Sequence, residues 1–265
     1  MHIYTKVNMN KQKYQITEKS NYLNLLILID ELKSYHKLLS DEISDIDSWI
    51  MKLRNTRNVF ISLNNVLDIM NKINLNLSND YTKLTRNLKK KLAFANHFRN
   101  RAAGHLNEIL LERAVQWSPQ MFSLISKENE KFKISEAHRV IIEACTNSYI
   151  NHEGKQKVFN TEIDLMYPPD AKLFFIHLQE LITESIEWLS ISAEYILSTI
   201  RHHDNDEIQE LAAIAAKTNF NLKEESQYSY SLDEQKAQLA KVIQELEKVD
   251  AEKEIIELIK IQFNS

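Results

Sequence analysis

Arg99, Asn100, Arg101 and His105 fall within the seven-residue stretch Arg99-Asn100-Arg101-Ala102-Ala103-Gly104-His105. A guanidinium carries a planar fork of donors that grips a phosphate. An imidazole is the side chain that exchanges a proton near neutral pH. Long side chains at these positions can converge on one phosphate held over a helix groove. The chemistry this stretch offers is anion binding next to proton transfer.

The elements that must position these groups are helices. The chain has 265 residues but only two glycines (Gly104, Gly154) and three prolines. Tight turns and bulges need φ > 0, which Gly usually supplies. So few glycines exclude a large sheet, a P-loop and a GxGxxG nucleotide fingerprint. The fold class is therefore all-α: an antiparallel helical bundle with long helices and a C-terminal helical appendage.

Apolar residues at spacings of three and four place the helices. The first runs from Ser20 to Leu39. The second, capped by Ser40 or Asp41, runs to Leu75. The third spans Tyr81 to Trp117, ended by Pro119. Shorter and longer ones cover Ser135 to Ile150 and Asp170 to Arg201. Asp204 with Glu207 caps a helix to Lys217, and Ser231 with Glu234 opens an acidic amphipathic segment to Phe263. Residues 151–169 are the least helical stretch, within which Lys157 to Leu165 form a small hairpin or an ordered loop, and 218–230 is a linker. The domains follow: a flexible N-terminal arm at 1–18, a helical bundle at 19–203, and acidic C-terminal helices at 204–265 that pack on the bundle or on a partner protomer.

Charge is unevenly spread along the chain. Residues 204–265 hold 14 acidic and 7 basic side chains, a net of −7 against −4 for the whole chain, so the other 203 residues carry +3. Between Lys83 and Arg101 there are seven basic residues and no acidic one. Such a patch can meet a polyanion. The single cysteine, Cys145, excludes an intrachain disulfide and reads as a small buried residue. No apolar run approaches a membrane span, so the expected compartment is the cytoplasm, with no membrane partner.

On a wheel of about 100° per residue, the third helix carries Leu84, Leu88, Leu92, Ala95, Phe98, Ala102, Leu106 and Ile109 on one apolar stripe. His97, Arg101, His105 and Glu112 form a polar stripe. Arg99 falls inside the apolar arc. Burying a lone guanidinium costs several kcal/mol. Either the helix is interrupted here, or Arg99 has a partner, or the stripe meets a second subunit. Gly104, which costs about 1 kcal/mol inside a helix relative to Ala, marks the same spot.

The stretch FRNRAAGHLNEILLERAVQW, Phe98 to Trp117, resembles the signature of the HEPN superfamily: an Arg, often followed by a polar residue, then His after four to six positions. Here the match is Arg99, Asn100 and His105. The resemblance implies a bundle that homodimerises to bring two motifs together. It also implies metal-independent RNA cleavage, in toxin–antitoxin or phage-defence settings, although some members only bind nucleotides or partners. In that chemistry the RNA 2′-OH is the nucleophile. His105 moves its proton, Arg99 stabilises the scissile phosphate, and Asn100 orients either group. Lys89, Lys90 and Lys91 supply backbone affinity that falls with salt, and His97 and Arg101 line the groove. Neither a metal nor another cofactor is expected. The partners implied are RNA, a second copy of the chain, and an antitoxin or other protein.

Two alternatives stand beside this. His202-His203-Asp204 with Asp206 and Glu207 has atoms suited to a metal, or else simply ends one helix and caps the next. The whole chain can also be read as a non-catalytic helical adaptor or a nucleotide- or RNA-binding partner protein.

Overall fold

The computed structural model describes residues 15–75, 77–124, 127–216, 218, 220 and 221. Among them are seven α-helices and no strand: α1 (Ile16–Ser40), α2 (Ile46–Lys72), α3 (Asn79–Phe98), α4 (Glu108–Trp117), α5 (Glu130–Asn147), α6 (Pro168–Thr199) and α7 (Asn205–Ala215). A π turn, Arg99–Ala103, follows α3, and a short 3₁₀ segment, Pro119–Phe122, follows α4. None of these helices is long and apolar enough to cross a membrane.

Two compact units divide the chain: residues 18–200, and residues 1–17 with 201–265. In the larger unit α2 is central, packing on α3, α5 and α6. Its Phe60 stacks on Phe98 with ring centroids 3.9 Å apart and meets Phe94 edge-on at 5.3 Å. All three rings are buried. Trp188 of α6 is buried as well, and its indole N–H donates to Thr85 Oγ1 at 2.9 Å, fixing α6 on α3.

The helix starts show local chemistry choosing the boundary. α2 begins after Asp45, not after Ser40 or Asp41. Asp45 Oδ1 accepts from the Ser48 N–H at 2.8 Å, while Ser48 Oγ accepts from the Asp45 N–H at 3.1 Å. This reciprocal box satisfies two orphan donors at once. Ser40 has no such partner, since its hydroxyl donates back to the His36 carbonyl. α6 starts at Pro168 rather than Asp170, because proline fits the first helical turn.

The segment 151–167 is an ordered loop, not a hairpin of strands; its only ladder element is an isolated bridge between Ile150 and Gln156. The Asn147 side chain grips Ile163 at both ends, accepting from its N–H at 2.8 Å and donating to its carbonyl at 3.0 Å. Gly154 turns the chain with φ +79°, a conformation natural to glycine.

In the smaller unit, Asp204 Oδ1 accepts from the Glu207 N–H at 2.9 Å, the cap expected for α7. Glu207 also pairs with Arg201, and lies 3.2 Å from His203 Nδ1. The segment 231–263, nearly all of the linker and most of the N-terminal arm lie outside the described residues.

Candidate functional site

The long third helix of the sequence reading is not continuous. α3 stops at Phe98, and the backbone widens into a π turn in which the Gly104 N–H donates to the Arg99 carbonyl at 2.8 Å. A bend follows, with the Asn107 N–H reaching the Arg101 carbonyl at 3.0 Å, and Asn107 caps α4 through Oδ1 and the Leu110 N–H at 3.1 Å.

Two buried anchors explain where the intervening residues go. Phe98 and Ala102 are both fully buried. The three residues between them must bow away from the core, so Arg99, Asn100 and Arg101 are exposed. Arg99 therefore does not lie in an apolar arc. The interruption that the misplaced cation suggested is real, and it removes the misplacement. Breaking the regular ladder frees carbonyls, and a freed buried carbonyl needs a new donor. Arg57 of α2 supplies it, with Nε donating to the Ala102 carbonyl at 2.8 Å.

The Arg99 side chain is aimed by its neighbours. Nη1 donates to Asn100 Oδ1 at 3.0 Å, and Asn100 Nδ2 donates to Asn96 Oδ1 at the same distance. Asn100 thus positions the guanidinium. Gly104 sits against this arm. A Cβ there would stand 3.0 Å from the Arg99 carbonyl and 3.7 Å from Arg99 Nε. The backbone of Gly104 is right-handed (φ −72°), so the need for glycine here is close approach rather than conformation. His105 follows immediately and is exposed.

His97 faces inward rather than lining an open groove. Its Nε2 lies 3.2 Å from the Cys145 carbonyl and 3.0 Å from Ser148 Oγ, while Nδ1 accepts from Arg101 Nε at 3.3 Å. An acceptor at Nδ1 and an acceptor carbonyl facing Nε2 assign the neutral, Nε2-protonated ring. Burial, reinforced by the Arg101 charge, pushes its pKa down to about 4. Because the folded value lies below the ordinary histidine value of 6.5, the neutral ring adds stability above about pH 6.5 that is lost as pH falls toward 4. An NMR titration of the His97 ring is expected to show a midpoint near 4. A midpoint at or above 6 would mean that Arg101 is not held by a neutral imidazole.

No known protein family, characterised protein or solved structure matches this chain.

The basic run is split by the fold. Lys90 is exposed, Lys89 is half-buried, and Lys91 is paired with Glu184 of α6. Cys145 is buried, and that burial pushes its thiol up to about 12, so it stays protonated. Among the described residues no group of three His, Cys, Asp or Glu side chains converges.

One cluster has no counterpart in the sequence reading. Arg139 of α5 is buried with a fork on two acids of its own helix. Nε donates to Glu136 Oε1 at 2.9 Å, and Nη1 donates to Glu143 Oε1 and Oε2 at 2.7 and 2.6 Å. Glu143 also accepts from Trp117 Nε1 and from the Leu165 N–H, each at 2.7 Å. Arg139 Nη2 donates to Ser118 Oγ at 2.8 Å, where α4 ends. Desolvation alone would lower the guanidinium; the Glu136 bonds and the Glu143 charge outweigh it and raise its pKa. Desolvation also raises Glu143, against the pull of Arg139. Both oxygens of Glu143 only accept, from N–H groups of three residues, which is the pattern of an ionised carboxylate. The signal for this cluster was the Glu136-x2-Arg139-x3-Glu143 spacing, which puts all three side chains on one helix face.

Proposed function

We propose that this chain is a metal-independent endoribonuclease of the HEPN kind, acting as a homodimer in the cytoplasm in a toxin or phage-defence role. The observation that carries the reading is the π turn. It holds an arginine, its positioning asparagine and a histidine, all three exposed, within one seven-residue segment, with Phe98 and Ala102 as buried anchors and Arg57 on the Ala102 carbonyl. π turns inside helices often mark functional sites.

The mechanism assigns each group one task. The 2′-OH of the substrate attacks the adjacent phosphorus. An imidazole, His105 of one protomer, takes the 2′ proton. Charge gathers on the equatorial oxygens of the phosphorane and is met by Arg99. The 5′-oxygen leaves with a proton from the His105 of the other protomer, giving a 2′,3′-cyclic phosphate and a 5′-OH. An imidazole both accepts and donates a proton, so the same residue can serve in either role. Arg101 and Lys90 contribute sequence-independent attraction for the phosphate backbone.

The second subunit is supported by the surface beside the motif. Leu106 and Ile109, expected in the core, are 47% and 65% exposed. A second copy covering them would bury that apolar area and bring two motifs together. Covered by a different protein, the same patch would suit the adaptor reading.

The test is purified protein and labelled RNA in EDTA, with wild type beside Arg99→Ala and His105→Ala. Cleavage by wild type that disappears in both variants is expected. Cleavage that survives both would sink the site, and no cleavage of any RNA by wild type would sink the nuclease reading.

A further inference from the structure

A pocket of about 410 Å³ opens between α4 and α5, lined by Arg113, Gln116, Trp117, Ala144, Asn147 and Ser148. Ser148 links it to the motif through His97. That hydroxyl donates to the Cys145 carbonyl at 2.8 Å and lies 3.0 Å from His97 Nε2, and His97 in turn holds Arg101. The rim of the pocket is thus two hydrogen bonds from the arginine next to Asn100.

Trp117 is its platform. The indole is partly exposed, yet its N–H is spent on Glu143, which is fully buried and locked by Arg139 and the Leu165 N–H. A ring tied at its only polar atom to a buried, locked carboxylate is held in one orientation at the pocket it lines. Ser118, the next residue, is fastened to the same Arg139.

The polar groups around the platform are unequal in kind. Gln116 Oε1 is occupied by Arg113 Nη1 at 2.9 Å. Asn147 spends its amide on Ile163. Arg113 and Gln116 line the pocket, and the groups that their mutual bond leaves over, Gln116 Nε2 and the remaining Arg113 N–H groups, are donors, so a ligand edge made of acceptors is favoured. Guanine presents such an edge at O6 and N7, whereas adenine pairs N7 with an N6 donor.

The geometry points to a nucleobase subsite: one unstacked base of single-stranded RNA lies on Trp117, guanine before adenine, with its backbone running toward Arg101 and the Arg99–His105 turn. This rests on the reading that the ligand of the motif is RNA. It adds to that reading where the substrate is gripped and which base is favoured.

Binding is measured by fluorescence anisotropy with tagged 2′-O-methyl octamers, which lack the attacking hydroxyl. One is abasic throughout, one carries a single central guanine, and one a single central adenine. Stacking is worth roughly 1–3 kcal/mol per base, so the guanine octamer is expected to bind wild-type protein roughly 5- to 150-fold tighter than the abasic one. Adenine falls between them. Trp117→Leu loses the gain from the base, while Trp117→Phe, which keeps an aromatic face, retains most of it. Equal affinity for guanine and abasic octamers, or adenine binding as tightly as guanine, overturns the proposal on wild-type protein alone, whether or not the variants fold. Retention of the gain by a folded Trp117→Leu protein also overturns it. Base-dependent binding without cleavage of ordinary RNA leaves the subsite and removes the nuclease; cleavage without base dependence does the reverse.

Discussion

Arg139→Met is expected to lower stability by about 3–5 kcal/mol, the cost of leaving buried acids without their cation. For a unit of this size that is a fall in Tm of roughly 6–20 °C. The magnitude follows from what stays behind. Glu136 and Glu143 have side chains 4% and 0% exposed, and both lose a guanidinium at hydrogen-bond distance. Met fills the volume but donates nothing.

The pH dependence has a definite sign. Burial already holds the Glu143 carboxyl above its ordinary value, and the Arg139 charge is the main force opposing that rise. Removing it raises the folded value further, while the unfolded value is unchanged. A carboxyl with a raised folded pKa binds its proton more tightly in the folded state. The variant's deficit is therefore largest at neutral pH and shrinks as pH falls toward the unfolded value. Thermal melts of wild type and Arg139→Met at pH 7 and pH 5 check this. A variant within about 2 °C of wild type at pH 7 would show that the network does not hold α4 on α5, and a deficit growing at pH 5 would show that the acids are not what destabilises it.

Much of this fold was legible in the sequence because helical order leaves a periodic trace. Two glycines in 265 residues leave little besides helices, and α6 carries its stripe for almost its whole length. The boundaries were less legible where two caps compete. Ser40, Asp41 and Asp45 are all plausible first residues, and only the reciprocal Asp45–Ser48 pair decides among them.

The site was legible as an anomaly rather than as a geometry. An ideal wheel assumes unbroken i→i−4 bonding, so it put Arg99 among leucines. Its failure at that position marked the place where the helix changes form. What replaced the regular turn could not be read locally. Arg57 lies 45 positions from the carbonyl it satisfies, and His97 meets Cys145 and Ser148 only because α3 and α5 are neighbours in space. One hint was available: Arg57 falls between Leu53 and Phe60 on an otherwise apolar face of α2, a second cation where none belongs.

A heterodimer of wild type with His105→Ala, purified through two different tags, is expected to cleave about 100-fold or more slowly than the wild-type dimer. General acid and general base each contribute roughly 10²- to 10⁴-fold. If the two imidazoles divide those roles across one composite site, removing either one costs the full contribution of its role. The heterodimer then falls by about 100-fold or more, not by half. Independent sites within each protomer predict the opposite, because the wild-type protomer would keep its own His105 and the heterodimer about half the activity. Arg99→Ala in one protomer is a gentler probe: removing one charge-stabilising donor costs roughly 10²- to 10³-fold when both copies are lost, and less if the remaining Arg99 still reaches the phosphate. Initial cleavage rates of the three purified dimers separate the cases. Half-activity in the wild-type–His105→Ala dimer would confine the reaction to single protomers and remove the reason for exposing Leu106 and Ile109 beside the motif. A collapse of 100-fold leaves the two exposed turns acting as one.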